Sequence, residues 1–205
     1  MMDARLSPLY LPTEAARLVG LSASTVRRWL APGGPVVRDA THYASFLDLI
    51  ELYMVAGLRK HVPLRRLKEA VHDAAQRLGI DHPLARQTYL RDGGHLFLEM
   101  EGALLHLGRA GQLAFPGIIR PRAEHIVFAE DGIAARWYPL GRDRTIVVHP
   151  GIMSGAVTIE GTRIDTRTIA GMVDTMGSVE KVASIYELQV HQVETAWIWE
   201  RRLAA

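Results

Sequence analysis

Cysteine is absent from this sequence, which removes disulfide staples, thiolate nucleophiles and the cysteine ligands of structural zinc. Long apolar runs are missing too. Charged residues interrupt every hydrophobic stretch before it reaches the ~20 residues a membrane-spanning helix needs, and the opening MMDARLSPLY has neither the basic start nor the apolar run of a secretory signal. The expectation is a cytoplasmic protein with no membrane step. Histidine occurs nine times, but no pair has His-x-x-x-His spacing, and H-E-x-x-H, G-x-S-x-G and the GxxxxGK[ST] phosphate loop do not occur. Dispersed polar residues account for the histidines better than a metal or catalytic site does. The sequence is therefore read as that of a non-enzyme with no cofactor and no metal.

What is present suffices for a folded core. With 48% hydrophobic residues in a chain of 205, one large or two modest cores can form without staples. Net charge is only +2, but it is unevenly spread. Residues 1–86 carry 12 Lys+Arg against 8 Asp+Glu, whereas residues 151–205 carry 5 against 7, so the basic excess sits at the front.

The front also carries the most informative local pattern. In YLPTEAARLVGLSASTVRRWL, Pro12 suits a first helical turn, with Thr13 or Glu14 at its positive end, and Ala15, Ala16 and Leu18 face inward. Gly20 ends that helix, Ser22 caps the next, and APGGP breaks it after Leu30. Two short helices across a tight glycine-containing turn describe a helix-turn-helix. At roughly 100° per residue, Ala23, Val26 and Leu30 share the buried arc, Ser24 and Arg28 lie opposite flanked by Thr25 and Arg27, and Trp29 falls on the boundary. PVVR and THYASF, separated by Asp39-Ala40, then read as a short hairpin, a wing.

Helical spacing returns at Leu47, Ile50, Met54 and Leu58 and again at Leu64, Leu67, Val71 and Leu78, with Gly57 and Pro63 punctuating the join. The middle alternates as a small sheet: QTYLR and HLFLEM flank Asp92-Gly93-Gly94, ALLHL and GQLAF follow, and GIAARWYPL and RTIVVHP add strands around a turn at Asp131-Gly132. FPGIIRPRAEHIVF is read as a short helix carrying Ile118, Ile119 and Ile126. In IEGTRID, Gly161 suits a left-handed turn and Arg163 is placed to point inward. Three helices close the chain: Ile169, Met172, Val173 and Met176 form one stripe, Gly177 stops it, Ser178 caps the next with Val179, Val182 and Tyr186, and Val193, Ala196 and Trp197 mark the last. The fold class is α+β. A winged helix-turn-helix occupies 1–80, and a β-rich segment plus a C-terminal three-helix domain occupies 81–205.

Small residues at a helix start, hydroxyls for phosphate and arginines for guanine edges are what a major-groove reader needs. The candidate DNA contacts are Thr13, Ser22, Ser24, Thr25, Arg27 and Arg28 on the helix pair, with Arg38, His42 and Tyr43 on the wing meeting the sugar-phosphate backbone. Arg59, Lys60, Arg65, Arg66 and Lys68 crowd the next junction, either as a solvated face or as phosphate contacts.

Residues 10 to 78, through the GLS-type turn, Thr25-Val26-Arg27, Tyr43 and FLDLIELYMVAGLRKHVPLRRLKEA, resemble the winged helix-turn-helix of the MerR superfamily. HPGIMSGAVTIEGTRIDTRTI and the helices to Trp197 resemble domain of unknown function family 433, with its GTRI turn. Joined through GQLAFPGII and DGIAARWYPLG, the two parts are similar to VapB-type antitoxins. That resemblance implies a DNA-binding antitoxin that binds its operator as a repressor, neutralises a PIN-domain ribonuclease toxin and acts as a homodimer. Two other expectations stand beside it: a toxin-binding module with no DNA step, and a ligand-responsive regulator with Trp137 and Tyr138 lining a pocket in the β-rich middle.

Overall fold

The computed structural model describes residues 3–38, 42–86, 121–143 and 145–204. The expected strands of QTYLR, HLFLEM, ALLHL and GQLAF, the positions of Ile118 and Ile119, and the wing turn at Asp39-Ala40 lie outside those residues. Helices combine with a small sheet, so the fold is α+β. The chain divides into two compact units, Met1–Ala135 and Arg136–Ala205.

Helix α1 (Pro12–Val19) starts where the sequence places it: Leu11 is the N-cap, Pro12 sits at the first position, and the Glu14 carboxylate accepts the Leu11 N–H at 2.9 Å. Gly20, at φ 69°, takes the left-handed turn that ends the helix. Ala15 and Ala16 are buried and Leu18 is half-buried. Helix α2 (Ala23–Leu30) is capped by Ser22, whose hydroxyl accepts the Thr25 N–H at 3.2 Å. In α3 (Phe46–Leu58), Ser45 and Asp48 form a reciprocal capping box at 3.1 and 2.8 Å, and all 13 residues are buried, Asp48 and Glu51 included. Helix α4 (Leu64–Leu78) follows Pro63 and ends at Gly79, again left-handed at φ 60°.

Two expectations change in this unit. Gly57 does not punctuate the α3–α4 join; it lies inside α3, and a Cβ there would sit 2.2 Å from Arg122 Nε. Arg122 uses that space to donate from Nη2 to the Tyr53 carbonyl at 2.6 Å, with its guanidinium 4.0 Å above the Tyr53 ring. Gly57→Ala therefore lowers the melting temperature, because displacing this half-buried, charge-assisted hydrogen bond costs ~1.5–3 kcal/mol and outweighs the ~1 kcal/mol of helix propensity gained. In an Arg122→Ala background the same substitution is stabilising; thermal melts of the four proteins of the cycle check both signs. The second change is the boundary, which falls at 135/136 rather than 80/81. Residues 81–86 and 121–135 belong with the helices: Glu51 accepts the Leu84 N–H at 2.9 Å, Arg122 reaches Tyr53, and Arg86 bridges Ile133.

Strands β1 (Ile126–Phe128), β2 (Ala134–Trp137), β3 (Ile146–Val148) and β4 (Val157–Ile159) lie in chain order in one sheet. Ile126 is thus in a strand rather than the expected helix, and Gly132 makes the expected turn at φ 73°. In the second unit β3 pairs antiparallel with β2 at Trp137↔Val148 and with β4 at Ile146↔Ile159, Val147↔Thr158 and Val148↔Val157.

The three C-terminal helices, α5 (Thr166–Met176), α6 (Val179–Tyr186) and α7 (Val190–Ala204), bury Ile169, Val173, Val182, Ala183, Val193 and Ala196 against Ile159 of β4. Asp165 and Ser178 cap α5 and α6, accepting from Thr168 N at 2.8 Å and Lys181 N at 3.2 Å. Trp199 is the buried tryptophan of α7; Trp197 is half-buried and donates its indole N–H to Asp174 at 2.7 Å. Gly161 has the expected left-handed φ of 79°. Arg163 does not point inward but is exposed. The turn's own groups satisfy its interior: Thr162 Oγ1 donates to the Ile159 carbonyl at 2.9 Å and accepts from Ile164 N at 3.0 Å, and Ile164 takes the inward position.

Candidate nucleic-acid interface

Helix α2 is amphipathic in the sense the wheel requires. Val26 and Leu30 are buried and pack into the first unit, while Ser24, Arg27 and Arg28 are exposed on the other side. Trp29 departs from expectation. It is not a boundary residue but 1% exposed, and the Arg59 guanidinium lies 5.3 Å from its ring centroid. An eight-residue helix held on one side by α1 and on the other by its following loop buries more of its circumference than a wheel assigns. Gly34 folds back against its end, where a Cβ would sit 2.1 Å from the Trp29 carbonyl, and His72 of α4 donates from Nε2 to the Gly34 carbonyl at 2.7 Å.

The start of α2 presents hydroxyls. Ser22 Oγ caps the helix, donates to Thr25 Oγ1 at 2.9 Å and lies 3.1 Å from Ser24 Oγ. No acidic residue occupies the first turn, so the helix dipole and the free amides there remain open to an anion. Ser22 acts first as a cap; Ser24 is exposed and Thr25 half-buried. Arg27 and Arg28 form no ion pair among the described residues. Thr13 is exposed in the first turn of α1.

The wing fares differently. Among the described residues Pro35–Arg38 contains no strand; Val36 is buried, and the pairing nearby is a single bridge of Tyr10 with Ala44. Arg38, expected on the wing as a backbone contact, is instead turned into the core. Its side chain is 5% exposed, ion-paired through Nη1 to Asp48 Oδ2 at 3.1 Å and donating from Nη2 to the Tyr43 carbonyl at 2.8 Å. The pull on Arg38 is the carboxylate that α3 buries, which sequence spacing does not reveal. His42 and Tyr43 are exposed just before α3.

Ion pairing divides the basic cluster. Arg65 and Arg66 both pair with Glu69, at 3.0 and 3.3 Å, as a solvated helix face does. Arg59, placed over Trp29, and Lys68, whose Nζ would lie 3.7 Å from a Cβ on Gly33 at the end of the α2 loop, are exposed beside α2. Local spacing distinguishes these two from Arg65 and Arg66 by a single signal, the glutamate four positions after Arg65.

The first unit also contains a buried charge network. Asp48 receives Arg38 and, at 3.2 Å, His82 Nε2, and burial pushes the His82 pKa down against the pull of Asp48. Burial drives the Glu51 carboxyl up to about 8, offset in part by the Leu84 amide. Among the described residues no group of three His, Asp or Glu is placed to hold a metal ion, and no helix is long and apolar enough to cross a membrane. Trp137 and Tyr138, expected to line a pocket, are core residues, 2% and 3% exposed.

The chain is similar to known proteins in sequence and in fold. Residues 146–199 match the family described as "Protein of unknown function (DUF433)". The chain is 28% identical over 217 residues to the uncharacterized protein Rv2308 of Mycobacterium tuberculosis, covering 92% of this chain and 88% of that protein. It superposes on the crystal structure of Rv2018 from Mycobacterium tuberculosis with a TM-score of 0.75 at 22% identity, over 93% of this chain and 97% of that one. The last of these shows a shared fold.

Proposed function

We propose that the protein is a DNA-binding repressor whose helix α2 enters the major groove, and that it serves in the cytoplasm as the antitoxin of a PIN-domain ribonuclease. The observation that carries the DNA reading is the outer face of α2: Ser24, Arg27 and Arg28 stand exposed while Val26, Trp29 and Leu30 anchor the helix. Hydroxyls and first-turn amides take phosphate, and two arginines behind them reach guanine edges. As a homodimer, the protein would set two such helices about 34 Å apart on a two-fold operator. The antitoxin role rests on the resemblance to VapB-type antitoxins.

Gel-shift titration on the DNA upstream of its own coding sequence tests the first part. Arg27→Ala/Arg28→Ala weakens binding by ~1–3 kcal/mol per lost base contact, or flattens the salt slope by ~1 for each lost phosphate contact. Unchanged affinity and slope would remove α2 as the reader. Co-purification with a PIN-domain ribonuclease encoded beside it tests the second part; a toxin that stays fully active in its presence rules that role out.

A further inference from the structure

The second unit holds a cavity of about 350 Å³ lined by Arg136, Val147, His149, Ile152 and the turn Glu160 to Arg163. It arises where the β3–β4 pair ends. The chain leaves β4 at Ile159, and the left-handed Gly161 turns it sharply, so that Glu160, Thr162 and Arg163 stand around an opening whose far wall is β2 and β3. Thr162 is consumed in holding the turn, so the polarity of the cavity comes from four other side chains.

Their hydrogen-bonding capacity is one-sided. The Glu160 carboxylate is already engaged: Oε1 accepts from the Tyr138 hydroxyl at 3.2 Å and lies 3.5 Å from Arg136 Nη1. Arg163 is exposed and has no ion pair among the described residues. His149 Nδ1 accepts the Gly151 N–H at 3.0 Å, which leaves Nε2 as the donor of a neutral ring. Burial, with Arg136 nearby, holds the His149 pKa below its usual value and so favours the neutral ring. Arg136 already shares Glu160 with Tyr138, so the lining carries one guanidinium, Arg163, in excess of its single carboxylate, together with an imidazole donor. Val147 and Ile152 supply an apolar wall, and the volume lies at the small-molecule end of ligand cavities.

We propose that this cavity binds a small molecule through a compact oxyanion, a phosphate or carboxylate group clamped by Arg136 and Arg163. The site is confined to the second unit and holds whether or not α2 reads DNA. Forked guanidinium donors match both headgroups, and the two are separated by experiment.

The full-length protein, isotopically labelled, is titrated with inorganic phosphate and separately with acetate, each at constant ionic strength balanced with sodium chloride. Arginine Nε–H resonances of residues 136 and 163 and the amide of Gly161 are followed by NMR. Saturable shifts at these positions are expected, and the titrant with the lower midpoint names the headgroup. Arg163→Ala, which removes no internal contact, raises that midpoint by about tenfold; Arg167→Ala, an exposed arginine of α5 outside the cavity, leaves it unchanged. Shifts that fail to saturate with either titrant, or that are equally weakened by the two variants, reflect general screening and overturn the proposal.

Discussion

Glu51→Gln melts at a higher temperature than the wild type at pH 8 and at nearly the same temperature at pH 5. Glu51 is fully buried in α3, and its carboxyl is pushed up to about 8 from an ordinary 4.5, first by burial. A carboxyl whose folded pKa lies above its unfolded one binds a proton in the native state that the unfolded chain has released. Its contribution is fully present below 4.5 and is lost as pH rises through 8. Across that window the wild type loses up to ~1.4 kcal/mol per pH unit from this one group. Glutamine keeps an acceptor for the Leu84 N–H and cannot ionise, so the loss disappears. His82, whose pKa is lowered by burial, contributes with the opposite sign near neutral pH, which is why the measurement is the difference between variant and wild type rather than either slope alone. Urea titrations at pH 5, 6, 7 and 8 check it. Parallel stability curves for the two proteins would mean that Glu51 is charged in the fold and held by partners.

Arg38→Met costs more at neutral pH. It leaves the Asp48 carboxylate in the core with the Ser45 N–H and His82, a neighbour whose own charged form is disfavoured by burial. Removing one partner of a buried pair typically costs ~3–5 kcal/mol, because the surviving charge has no solvent to compensate it. That is a large share of a domain's stability, and partial unfolding at 37 °C is the expected phenotype. The control is Arg38→Met/Asp48→Asn: asparagine still accepts the Ser45 N–H that completes the α3 cap but carries no charge, so most of the loss is recovered. If the double variant were no more stable than the single one, Arg38 would be acting through packing. The same pair of proteins bears on the proposed DNA reading: with Arg38 held in the core, a folded double variant leaves the operator affinity that this reading expects unchanged.

The elements legible in advance were those whose signals are local. Gly20, Gly161 and Gly177 end or turn the chain where a left-handed residue is needed, Ser22, Asp165 and Ser178 cap helices with their own side chains, and apolar spacing marks the inward faces of α2, α5 and α6. Each of these is decided within about four residues, the reach of one helical turn or one cap. The exposure of Ser24, Arg27 and Arg28 was legible for the same reason, since a short helix anchored by Val26 must show its other side.

What the tertiary structure alone decided involves partners far apart in sequence. Arg38 was drawn from the surface by a carboxylate ten positions on, Gly57 was required by an arginine at 122, and Trp29 was covered by a loop and a guanidinium from other elements. The outward turn of Arg163 and the cavity it borders likewise depend on how β2, β3 and the turn after β4 converge. Local sequence fixes backbone conformation because caps, turns and helical periodicity are short-range. The fate of a charged side chain depends on whether the fold brings a buried opposite charge within reach, and that only the packed chain determines.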